Sequence, residues 1–161
     1  MGANTNRDRD PSGRPRNARP RDALGRPLPA DSALAVPRIP DELHLRPAES
    51  LAYAQRLLDQ GLAFNAHEVL EAAWKSGPDD ERELWQGLAQ LAVGITHVQR
   101  GNRKGAAALL RRSLDRLTRS PAPHMIDVAG LTEYASALVM RLDTAADITP
   151  ADLRPRLMRA R

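Results

Sequence analysis

The residues best suited to chemistry stand in one short run, His67-Glu68-x-x-Glu71-x-x-Trp74, and in a second polar group, Gln86, Gln90 and His97. On a helix, Glu71 projects about 40° from His67 and Trp74 about 20° to the other side, so the ionisable pair shares the face that carries Leu70 and Trp74 inward. Neutral imidazole and carboxylate are ligands for zinc, iron or manganese, and helical bundles assemble such sites from facing helices. The corresponding expectation is a divalent-metal site with His67, Glu71 and His97 as ligands. Glu68 would be the catalytic base that activates a bound water, and Gln86 and Gln90 would support the ligands from behind. No binding site for any other cofactor is read.

Two other readings use the same residues or their neighbours. In the first, the His, Glu and Gln side chains form a satisfied network that only fixes helix packing, in a non-catalytic structural or protein-interaction module. Glu71 then pairs with Lys75 at i,i+4, and Glu68 is the reciprocal partner of an Asn65 cap. In the second, a basic tail and the Arg112, Arg116, Arg119 stripe bind nucleic acid through phosphates. Aromatic residues are only 3% of the chain, which leaves few platforms for base stacking and argues against that reading.

The positioning elements follow from the apolar period. Pro47 opens a first helix lined by Leu51, Ala54 and Leu58 and stopped by Gly61. A second helix, about 64–76, holds the His-Glu motif. A third, about 78–100, begins with an acidic run and carries Leu84, Leu88, Leu91, Ile95 and Val98 as one stripe, widened by Trp85. It reads as central. Gly87 and Gly94 share its polar sector, and packing through them would bring Gln90 and His97 against the second helix. Helices at about 103–119 and 128–143 complete an all-α bundle of about five helices, with Gly101-Asn102 as a tight stop and restart.

Residues 1–47 contain eight of the 13 prolines and nine basic against six acidic residues, and read as a disordered Pro/Arg-rich tail. Residues 48–143, the bundle, carry 11 basic and 12 acidic residues, and residues 144–161, read as a weakly ordered C-terminal tail, carry four and two. The net charge of +4 therefore belongs to the tails. There is no cysteine, which removes disulfides and thiolate metal sites. No apolar run approaches the ~20 residues of a membrane span, and no signal-peptide core opens the chain. The expected setting is cytoplasmic, with no membrane partner and a homo-oligomer left open.

The run Phe64-Asn65-Ala66-His67-Glu68-Val69-Leu70-Glu71-Ala72-Ala73-Trp74, followed by Trp85-Gln86-Gly87-Leu88-Ala89-Gln90-Leu91-Ala92, His97 and Gly101-Asn102-x-x-Gly105-Ala106, resembles the bacterial and archaeal family called domain of unknown function 309. The likeness covers about 50–120. The stretch Arg19–Pro27 is similar to a leader of high-GC, actinobacterial-type members. The resemblance implies an all-helical fold, and members are often labelled predicted metal-dependent hydrolases on the strength of the His/Glu motif. It puts His67, Glu68, Glu71, Gln86, Gln90 and His97 at the motif positions. Asn65 stands where related sequences can carry a further histidine.

Overall fold

Each of the five periodic segments forms a helix in the computed structural model, which describes residues 20–29, 31–37, 39–40 and 43–160. Helices α1 (Pro47–Asp59), α2 (Ala63–Ser76), α3 (Arg82–Gln99), α4 (Arg103–Thr118) and α5 (Val128–Asp143) follow in chain order, with single 3-10 turns at Asp79–Glu81 and Pro150–Leu153. Among the described residues there is no strand, only two isolated bridges. Each helix packs on the next, and α3 makes the most extensive contact, against α2 on one side and α4 on the other. Leu84, Trp85, Leu88, Leu91, Ala92 and Ile95 bury its apolar stripe in the core. No helix of the described residues is long and apolar enough to cross a membrane.

The punctuation between helices is local chemistry. Gly101 ends α3 with φ +77°, a left-handed conformation that side chains disfavour. Asn102 then caps α4 by accepting from Gly105 N at 3.0 Å, and Asp127 caps α5 through Gly130 N at 3.1 Å.

Several expectations are corrected. The Asn65/Glu68 capping box does not form, because Leu62 N bonds back to Leu57 O and starts α2 at Ala63, before Asn65 is reached. Asn65 lies inside the helix, buried, and donates to Pro37 O at 3.2 Å. Pro78 and the acidic run form a separate turn, so α3 begins at Arg82.

Gly87 and Gly94 face α4 rather than α2. A Cβ on Gly87 would lie 3.2 Å from Arg116 and Leu117, and one on Gly94 would lie 2.9 Å from Leu110. Ser113 uses this close approach, donating to Gly87 O at 2.8 Å.

Parts of the segments flanking the bundle are held against it. Residues 1–19 of the expected tail lie outside the described residues. Further along, a turn at 22–25 rests on α2 and Ile39 is buried in the core. After α5, Leu153 and Leu157 are buried, and Asp127 N donates to Leu157 O at 2.9 Å. Segments without a period of their own are thus held by bonds to the helices.

Candidate functional site

Four residues apart on α2, His67 and Glu71 meet as helical geometry requires. His67 Nε2 donates to Glu71 Oε2 at 3.1 Å, and Lys75 Nζ reaches Glu71 Oε1 at 3.0 Å one turn further on. The Glu71 carboxylate, about a third exposed, is therefore held from both sides. The hydrogen bond from His67 is the largest influence on its pKa. With the support of Lys75 it outweighs partial burial and holds the carboxyl at about 2, against an ordinary value of 4.5. His67 Nδ1 is buried with no hydrogen-bond partner, as is Trp74 Nε1 on the same helix face. The ring of Phe64 stands 5.4 Å from that of His67. Glu68 follows His67 on α2, half-buried.

The depressed Glu71 value has a pH consequence. The stability it contributes is complete above its unfolded value near 4.5 and is lost as the pH falls through about 2. Thermal midpoints measured between pH 5 and pH 2 should fall for the wild type and fall less steeply for Glu71→Gln. Parallel pH curves for the two proteins would show that the pairing contributes nothing.

The remaining candidates are held elsewhere. Asn102 Nδ2 donates to His97 Nδ1 at 3.0 Å, while Asn102 Oδ1 is occupied by the α4 cap, which fixes the amide's orientation. Burial first, and the neighbouring Arg100 charge second, lower the His97 pKa and so favour the neutral ring. Gln90 Oε1 accepts from Arg116 Nε at 3.1 Å across to α4, and Arg116 also binds Glu83 at 2.8 Å. Gln86 is half-buried on α3.

The structure therefore brings His67 and Glu71 together and gives Gln90 and His97 other partners. Among the described residues, no group of three or more His, Asp or Glu side chains could hold a metal ion. His67 Nδ1 is sealed from solvent, and Nε2 is bonded to Glu71. In this arrangement the donor set does not fit a metal.

Two polar groupings escaped the sequence reading. His124 Nε2 meets Glu81 Oε1 at 2.7 Å, and Glu81 Oε2 accepts from the indole of Trp85 at 3.0 Å, which ties the α4–α5 loop to the start of α3. Arg21 and Arg100 both lie over the ring of Phe64, at 5.0 and 5.8 Å. Glu81 and Trp85 stand four apart, but His124 in the one grouping and Arg21 and Arg100 in the other come from distant parts of the chain, so no spacing announces either grouping as a whole.

Comparison with known proteins agrees with the resemblance read from the residues. Residues 51–109 match the model of the family described as domain of unknown function (DUF309). A protein of Bacillus subtilis (strain 168) described as "Uncharacterized protein YpuF" is 42% identical over 52 residues, which are 32% of this chain and 30% of that protein. The match thus spans about a third of the length of that curated relative. No solved structure matches the chain.

Proposed function

We propose that this domain is a non-catalytic helical module, structural or protein-binding, in which the His, Glu and Gln side chains fix helix packing. One observation carries the reading: Glu71, His97 and Gln90 each bond a different partner. Glu71 sits between His67 and Lys75, His97 bonds Asn102, and Gln90 bonds Arg116. A buried polar group left unpaired costs about 1–3 kcal/mol, a sizeable part of a small domain's stability, so such bonds specify register whether or not they do chemistry.

The rival is hydrolysis at a divalent metal on His67, Glu71 and His97, with Glu68 as base. It is supported by the buried, unpartnered Nδ1 of His67. It requires that nitrogen to be uncovered and His97 to leave Asn102.

Elemental analysis of protein purified without an affinity tag separates the two, together with thermal melts of wild type and His67→Ala with and without chelator. The module reading expects less than about a tenth of an equivalent of zinc, iron or manganese. It also expects a His67→Ala loss of about 1–2 kcal/mol, the cost of a charge-assisted bond removed, whether or not chelator is present. A full equivalent of metal, with chelator reproducing the mutant's loss in wild type, would establish the metal site instead.

A further inference from the structure

The loop between α4 and α5 carries two consecutive residues in the left-handed region, His124 at φ +57° and Met125 at φ +62°. Side chains disfavour that conformation, and neither residue is the glycine that usually occupies it. Backbone held there has to be fastened from several directions. Ile126 N donates to Pro123 O at 3.0 Å, which closes the turn, and Ile126 itself is fully buried. On one side His124 Nε2 donates to Glu81 Oε1 at 2.7 Å, while Glu81 Oε2 takes the indole N–H of buried Trp85 at 3.0 Å. The His124 ring also lies 6.2 Å from that of Trp85. On the other side the C-terminal segment is tied to the same loop. Arg159 N donates to Met125 O at 2.8 Å, Asp127 N donates to Leu157 O at 2.9 Å, and Ile126 bridges to Met158.

One loop thus receives both the His124–Glu81 pair and the C-terminal segment, and the pair is the part that titrates. Histidine ordinarily changes charge between about pH 5 and 8. With the imidazole protonated, the two side chains form an ion pair, 30% exposed at His124 and 15% at Glu81. With it neutral they keep only a weaker hydrogen bond. Protonation therefore favours the fastened loop, and the fastening weakens as the pH rises. The other charges on the elements that meet here are engaged elsewhere or lie apart from the ring. Asp79 pairs with Arg82, Arg119 reaches Glu83, and Asp127 caps α5, while Asp80 and Arg159 make no bond to the imidazole. Among the described residues, only Glu81 pairs with it.

We propose that His124 and Glu81 form a pH-dependent clasp. The imidazolium–carboxylate pair holds the strained turn at 124–125 against α3, and loss of the proton loosens that turn together with the C-terminal segment tied to it. The backbone strain gives the clasp its leverage. An unstrained loop would stay in place when one bond weakened, whereas a turn with two left-handed side chains relaxes by opening. What opens is the stretch that covers Ile126 and runs on to α1, where Gln55 accepts from Leu157 N at 2.8 Å. The device uses none of His67, Glu71 or His97, and it is independent of what that face does.

Amide hydrogen exchange of the full chain tests the clasp, followed by NMR at about pH 5 and pH 8 and corrected for the intrinsic exchange rate at each. In wild type the opening constants of the Asp127 and Arg159 amides should rise about three- to fivefold between the two, the range expected when a partly exposed ion pair loses its charge. The Leu91 amide, in the middle of α3, should not follow them. His124→Asn keeps a residue that tolerates the left-handed region but does not titrate, so it should open equally at both pH values. Glu81→Gln should do the same. His67→Gln should retain the wild-type response, which assigns that response to His124. If Glu81→Gln fails to fold, His124→Asn carries the test, since His124 lies on the exposed loop. Wild-type opening that is equal at both pH values would overturn the clasp. So would a rise shared by Leu91, kept in His124→Asn or Glu81→Gln, or lost in His67→Gln.

Discussion

Deleting residues 147–161 lowers the stability of the bundle by at least about 4 kcal/mol. That figure takes two buried leucines at the lower end of the range for leucine truncation in a core. Leu153 and Leu157 are that pair, 7% and 0% exposed, and Ile126, 0% exposed, loses its cover with them because Met158 bridges to it. The deletion also strands polar groups. Gln55 donates to Pro155 O at 3.0 Å and accepts from Leu157 N at 2.8 Å, while Tyr134 donates its hydroxyl to Asp152 O at 2.5 Å. Tyr134 is buried enough for its pKa to be raised, so a hydroxyl left without its acceptor there is costly. Natural domains hold about 5–15 kcal/mol in total, so the shortened chain sits near its threshold, with a melting midpoint lowered on the order of 10 °C. Urea and thermal unfolding followed by circular dichroism measure this. Leu157→Ala, costing about 2–5 kcal/mol by itself, is the milder version. A truncated chain melting within a degree or two of the full one would show that the C-terminal segment is dispensable.

The same segment marks the boundary of what the chain discloses. Helices α1 to α5 are legible because their apolar residues repeat at the helical period and their ends carry Pro47, Gly101, Asn102 and Asp127. Leu153 and Leu157 stand among prolines and arginines with no amphipathic run, and their order comes from Gln55, about 100 residues earlier in the chain. The turn at 22–25 is hidden for the same reason, since Gly25 is fixed by Phe64 and Leu24 by Arg100. The candidate site divides along this line. The His67–Glu71–Lys75 ladder lies within one helix and could be read from spacing alone. Any meeting of His67 with His97 depended on which helix the α3 glycines face, a property of two packed surfaces and not of either sequence.

Gly94→Val reads out that packing and costs about 3 kcal/mol, the upper part of the usual range for overpacking a core. A first methyl at Gly94 already comes within 2.9 Å of Leu110 Cγ and Cδ2, and Leu110 is fully buried, so it has little room to turn aside. Valine adds two further carbons on a helix that gains only a few tenths of a kcal/mol by losing a glycine. The clash has a named partner, and a double-mutant cycle can identify it. Leu110→Ala alone should cost about 2–5 kcal/mol by opening a cavity. In the Gly94→Val background it should cost at least about 1 kcal/mol less, because the valine fills part of that space. Leu70→Ala on α2 should add to Gly94→Val with no coupling. If the coupling fell on Leu70 and not on Leu110, α3 would be turned with its glycines toward α2, and Gln90 and His97 would be brought to His67. Coupling to Leu110 instead fixes the polar sector of α3 against α4, where Arg116 takes Gln90, and leaves the His67–Glu71 pair without a third ligand from α3.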